Sequence, residues 1–343
     1  MKSAFTKPVL YVMICSISVA WKCNKNDNEP ELTTGNWSVS TDFKGDPRSD
    51  AAVFVIGDNA YVLTGTNDRG PFKDMYMFDA NNGNWTKKTP LTGNARTAAV
   101  AFSINGKGYV GTGYNGDVDL QDFWEYDPGT ETWTQKDPLP GDARHDAVGF
   151  AISGKGYVCG GYSTRAYNDC WEFDPTAPAG SQWKEKAGFP HKTNAAAAFV
   201  LNNKGYIVTG TNNAEIQREL YQFDPSVSSG GQWTTKRPLY NYSNDSYDDH
   251  YTSIIRQNAV AFVLGNRAFL ATGQNGGYVT STWGYDAETD TWKEYTGFEA
   301  KPREGAAAFT VKDRAFVLTG KTGTLYLDNM FEFSPYIEKV DGD

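Results

Sequence analysis

Apolar and polar residues alternate along this chain in runs of about five, and the runs come in pairs around a tight turn. Residues 98–113, "AAVAFSINGKGYVGTG", show the unit: two β-rich runs on either side of Asn105–Gly106. Alternation with a period of two puts successive side chains on opposite faces of a strand, and the Asn-Gly punctuation closes a hairpin. A second alternating run follows, rich in aromatics and ending in Asp, as in "FWEYDPGTETW" at residues 123–133. A turn at the Asp leads to a last strand opened by Trp. Each unit therefore predicts four strands.

The unit recurs. Gly65, Gly113, Gly161, Gly210, Gly273 and Gly320 are separated by steps of 48, 48, 49, 63 and 47 residues, and a Phe stands eleven residues before each of them. Trp85, Trp133, Trp183, Trp233 and Trp292 open the last strand of the first five units. The sixth unit stops at "MFEFSP" without a Trp, while "GNWSVSTDF" near the N-terminus carries Trp37, 48 residues before Trp85. A fixed period of this length marks stacked units that bury their apolar faces only against one another. The recurring aromatics and glycines are first of all the core of such a stack.

These marks resemble the kelch repeat, a glycine pair followed by an aromatic and a Trp in about 50 residues. The resemblance covers residues 35–335 and departs in one respect: most copies read Thr-Gly, and only Gly160–Gly161 keeps the pair. It implies an all-β, six-bladed β-propeller in which the N-terminal strand around Trp37 completes the last blade and hides its edges. Trp37 is then expected beside Phe331 and Phe333. The family's strand order, A to D outward from the axis, puts the B–C and D–A connections on one face.

Three segments follow. Residues 1–22 read as a signal peptide, with Lys2 and Lys7 before the apolar run "PVLYVMICSISVA". Residues 23–34 read as a tether, and the resemblance of its start to a bacterial lipoprotein implies a lipidated Cys23. Residues 35–343 are the propeller. The expected location is the periplasm or cell surface, with the membrane touched only through that anchor and the chain a monomer. Without the leader the chain carries 29 basic and 41 acidic side chains. Such a balance repels nucleic acid and favours a glycan, a protein, or an anion gathered at a local basic patch.

One basic register exists. Six residues before the successive Phe positions stand Arg48, Arg96, Arg144, Thr193, Arg256 and Arg303. A ring of arginines at the mouth of a propeller predicts anion binding by charge-assisted hydrogen bonds, or else pairing of each Arg with a group in the next blade. The long step marks an insertion, "LYNYSNDSYDDHYTSIIRQ", whose tyrosines suit a recognition loop. The expected ligand site is Arg48, Arg96, Arg144, Arg256 and Arg303 with His145, Tyr247 and His250. No metal or other cofactor is expected: the three histidines lack close ligand spacing, and "NGDVDLQD" at 115–122 lacks the glycine and final Glu of a calcium loop. Cys159 and Cys170 fall at mirror positions of one hairpin and are a possible disulfide.

The functional expectation is a recognition propeller binding a glycan or polypeptide, without catalysis. The alternative is a mutarotase or epimerase for an anionic sugar, similar to the kelch-type sialic acid epimerases. Its acid or base would come from His145, His250, Asp248, Asp249 or Glu304. The galactose oxidase propeller is a more distant likeness. Its Tyr–Cys crosslink has no counterpart in cysteines that occupy core register.

Overall fold

The computed structural model describes Met1 and residues 33–342. The leader, Cys23 and nearly all of the tether lie outside them. Six four-stranded antiparallel sheets form the propeller. Blade 1 is Ala52–Ile56, Asn59–Leu63, Met75–Asp79 and Asn84–Lys88. Blade 2 is Val100–Ile104, Lys107–Gly111, Phe123–Asp127 and Thr132–Lys136. Blade 3 is Val148–Ile152, Lys155–Cys159, Cys170–Phe173 and Trp183–Lys186. Blade 4 is Ala197–Leu201, Lys204–Val208, Leu220–Asp224 and Gln232–Thr235. Blade 5 is Val260–Leu264, Arg267–Ala271, Thr282–Asp286 and Thr291–Tyr295. Blade 6 is Ala307–Val311, Arg314–Leu318 and Met330–Glu338, completed by Thr34–Val39 from the other end of the chain.

That closure has the expected register, Trp37 opposite Phe333 and Val39 opposite Phe331. Trp37 is 1% exposed, packs on Phe298 and Phe333, and donates its indole N–H to Thr282 Oγ1 of blade 5. Burying so large an aromatic contributes about 4–6 kcal/mol as an upper bound. Elsewhere the indoles of Trp133, Trp183 and Trp233 reach back to the carbonyls of Thr89, Asp137 and Ala187, just after the last strand of the preceding blade. Cys159 and Cys170 face each other across strands B and C of blade 3 and form a disulfide, with Cα atoms 4.1 Å apart.

Two closed rings of backbone hydrogen bonds join the blades. In the first, the N–H of each repeat glycine donates to the carbonyl at the Arg register of the next blade, from Gly65 to Arg96 and finally from Gly320 to Arg48. A Cβ on Gly113 would lie 2.7 Å from the Thr97 carbonyl oxygen, so the glycine is required for this approach. In the second ring, each blade's residue two after the Arg register donates to the carbonyl of the corresponding residue one blade back. Its members are Asp50, Ala98, Asp146, Ala195, Asn258 and Gly305, all with φ between 52° and 58°. Asp, Asn and Gly accept this left-handed conformation readily; the two alanines hold it only because the closed ring does.

The Thr-Gly departure has a structural counterpart. Thr64, Thr112, Thr209, Thr272 and Thr319 all sit at φ 57–61°, and Gly160 holds the same place in blade 3 at 65°. A β-branched residue is strained there. In blades 1, 2, 5 and 6 the carbonyl of that Thr accepts a hydrogen bond from the blade's own arginine, which holds the turn.

Candidate functional site

The connections from strand D to strand A repeat a local sequence, Arg-x-x-Ala: "RSDA", "RTAA", "RHDA", "TNAA", "RQNA" and "REGA". Its first residue points into the blade. Arg48, Arg96, Arg144, Arg256 and Arg303 are all 0% exposed. In blades 1–3 the guanidinium grips the aspartate just before strand C of its own blade in a fork: Asp74 at 2.5 and 3.0 Å, Asp122 at 2.7 and 2.8 Å, Asp169 at 2.5 and 2.8 Å. Arg256 instead donates to the carbonyls of Ser253, Ile254, Thr272 and Ser281 and to the Ser281 hydroxyl. Arg303 reaches the carbonyls of Lys301 and Thr319, while its Nη2 is buried without a hydrogen-bond partner. The expected ring of ligand-facing arginines is therefore an internal layer, and the partners lie within the same blade rather than in the next. The short backbone step from Arg to strand A turns each long side chain back beneath the connection.

The third residue of the repeat faces the opening, and the second bridges to the neighbouring connection beside it. The second position carries Ser49, Thr97, His145, Asn194, Gln257 and Glu304, each bridged to the residue after the repeat glycine: Thr66, Tyr114, Tyr162, Thr211, Gln274 and Lys321. The third position is the left-handed ring already described. A cavity of ≈ 180 Å³ is lined by that ring and by the alanines that follow, Ala51, Ala99, Ala147, Ala196, Ala259 and Ala306. Below it the axial channel continues between alanine and valine residues of the A strands.

Chemistry concentrates at two sides of this mouth. Between blades 2 and 3, His145 Nδ1 lies 2.6 Å from Asp119 Oδ1, its Nε2 lies 3.7 Å from Asp146, and Tyr114 and Tyr162 flank the ring at 5.9 and 5.7 Å. Between blades 5 and 6, Glu304 accepts hydrogen bonds from the amides of Asn258 and Gln274, and Lys321 Nζ lies 3.7 Å away. Asp50 stands between, accepting from the Ser49 hydroxyl at 2.8 Å.

The carboxyls respond to this crowding. Burial pushes the Asp50 carboxyl up to about 6, and the charge of Asp146 adds to the rise; Ser49 and Lys321 oppose it and Glu304 reinforces it. Burial and Asp119 likewise raise Asp146, against His145 and Lys321. The mouth thus holds Asp50, Asp119, Asp146 and Glu304 against Lys321 and His145.

The insertion goes elsewhere. Its two 3-10 turns, Ser246–Asp248 and Tyr251–Ser253, lie against the outer half of blade 5. Tyr251 is fully buried, packs on Trp283 and exchanges hydrogen bonds with the backbone of Trp292. Asp248 is also buried and accepts from the N–H groups of Tyr242 and Ser243. Tyr247 donates nothing toward the mouth; its hydroxyl meets Arg237 and Tyr242. His250 precedes the second turn, and the mouth cavity takes no lining residue from the insertion. Of the expected site, His145 comes nearest the opening, its Nε2 3.7 Å from Asp146 of the cavity lining. In the segment 115–122, Asp119 is taken by His145 and Asp122 by Arg96.

Sequence reasoning missed Asp50, Asp146, Tyr114, Tyr162, Gln274 and Lys321. The signal was available in the Arg-x-x-Ala repeat, whose two middle positions vary, polar throughout at the second and Asp or Asn in three blades at the third, while the ends hold nearly constant.

The solved structure of YjhT is similar in fold, with a TM-score of 0.69 at 18% sequence identity over 85% of this chain and 96% of that one. No protein-family model matches the chain. No curated protein matches it either.

Proposed function

We propose that the mouth of the propeller binds a neutral, hydroxyl-rich ligand, a glycan, and holds it without turning it over. The observation that carries this reading is the composition of the opening: Asp50, Asp146 and the Asn258 amide line its cavity, Glu304 bonds Asn258, His145 with its flanking tyrosines stands beside Asp146, and every repeat arginine is withdrawn into the blades. Carboxylates and amides accept and donate to vicinal hydroxyls in pairs, and tyrosine faces cover the apolar side of a sugar ring. An anionic sugar meets instead four carboxyl groups, Asp50, Asp119, Asp146 and Glu304, and one lysine already engaged by Glu304, which disfavours it.

A second reading rests on one group. Asp50, pushed up to about 6, exchanges a proton readily near neutrality, as a mutarotase acid or base must.

The test is calorimetric titration of the chain with neutral and sialylated oligosaccharides, beside the variants Asp146→Asn and Glu304→Gln. Binding of a neutral glycan, little changed by salt and weakened about tenfold or more in either variant, is the expected result. Preference for the sialylated ligand, or for a polypeptide alone, overturns it. Accelerated anomer exchange by the wild type, lost in Asp50→Asn, establishes the catalytic reading instead.

A further inference from the structure

Strand C of blade 6 does not stop where its counterparts do. Met330–Glu338 spans nine residues, where the equivalent strands of blades 1–5 span four or five, and runs on past the blade toward the face of the A–B turns, opposite the mouth. There Tyr336 is 75% exposed, Ile337 53% and Val340 48%. A groove of ≈ 300 Å³ opens beside them, floored by Leu264, Phe333 and Pro335. The residues that would bring the chain in from its N-terminus run along the same edge: Thr34 pairs with Glu338, and the Thr33 carbonyl accepts from the Lys339 N–H.

We propose that this apolar patch rests on a lipid bilayer, so that the mouth points away from the membrane. The inference rests on the reading of Cys23 as a lipidated residue. Ten Cα-to-Cα steps lead from Cys23 to Thr33, and an extended chain covers at most about 3.5 Å per step. An acylated Cys23 therefore lies no farther than about 35 Å from the edge carrying Tyr336 and Ile337. To present the mouth to the same bilayer, the tether would have to run the full height of blade 6 first. Tyrosine suits the headgroup region and isoleucine and valine the layer beneath it. The patch is too small to hold the protein on a membrane alone; a covalent tether raises its local concentration at the surface and makes weak contacts sufficient.

The experiment places an environment-sensitive fluorophore on Ile337→Cys or, on the mouth face, on the exposed Val118→Cys of the full chain. The chain is recovered from cell membranes into vesicles of phosphatidylethanolamine and phosphatidylglycerol containing a nitroxide-labelled lipid. Both substitutions replace exposed side chains, and Cys159 and Cys170 are bonded and buried. Strong quenching at Ile337→Cys with none at Val118→Cys is the expected result. Equal quenching at both sites, quenching at neither, or recovery of the chain in the soluble fraction overturns the proposal. So does protection of the Ile337→Cys probe by a second copy of the chain rather than by lipid. Glycan affinity measured on the same vesicles reports separately on the mouth, so failure of one reading leaves the other standing.

Discussion

Asp122 of the inner layer and Asp50 and Asp146 of the mouth behave oppositely. Burial works to raise the Asp122 carboxyl, but the hydrogen bonds and charge of Arg96, with the Trp124 indole, bring it below the ordinary value. Asp50 and Asp146 are raised, because burial and neighbouring carboxylates act on them with no guanidinium to answer. The difference lies in where each carboxylate stands: Asp122 precedes strand C and meets the inward-pointing Arg96, whereas Asp50 and Asp146 hold the third position of the repeat at the opening. Charges in the inner layer are spent on each other and hold the blade. Asp50 and Asp146 at the mouth are left with a raised affinity for a proton, the condition a donor on a ligand relieves.

The comparison breaks most sharply at its inner member. Asp122→Ala leaves the Arg96 guanidinium buried without its counter-ion and is expected to cost about 3–5 kcal/mol in denaturant unfolding. Arg144→Ala is expected to lower Tm through the same layer while the folded fraction keeps its ligand affinity. A loss of affinity with unchanged Tm would return the arginines to the binding site.

Blade 6 allows the layer to be sharpened rather than broken. Arg303 Nη2 and Asn329 Oδ1 are both buried without partners, and Asn329 occupies the place of Asp74, Asp122 and Asp169. Asn329→Asp supplies the missing fork, and a gain of about 1–3 kcal/mol is expected from equilibrium unfolding.

The smallest effect is expected at the mouth and depends on pH. Asp50 is raised from 3.8 to about 6, so the folded state holds this proton more firmly than the unfolded chain. Its contribution to stability is complete below about pH 4 and is lost as pH rises through about 6. Asp50→Asn removes that loss: its Tm should match the wild type at about pH 4 and exceed it by a few degrees near neutrality. A Tm difference that does not change with pH contradicts the assignment.

How much was legible beforehand follows the repeat. Period, strand count and closure by the Trp37 strand could be read because each rests on local alternation and on copies that confirm one another. The cysteine pair followed from the same register, opposite one another as Leu63 is to Met75. The arginines were found, but ligand binding and pairing with the next blade both stayed open, because five cations in one register look the same on paper whether or not a carboxylate waits 25 or 26 residues later in the same blade. The insertion's tyrosines carried a recognition signature, yet Tyr251 is consumed by the backbone of Trp292.

By itself the amino-acid sequence determined the blades, since hydrophobic periodicity and turn residues act over a few positions and need no knowledge of the rest. Only the tertiary structure decided which polar residues meet. Closing six blades into a ring brings Asp50, Asp146 and Glu304, up to 254 residues apart, to one opening, and it holds Ala98 and Ala195 in a conformation neither would choose alone. Burial and charge then set which carboxyls are satisfied, and those are properties of the closed ring rather than of any one repeat.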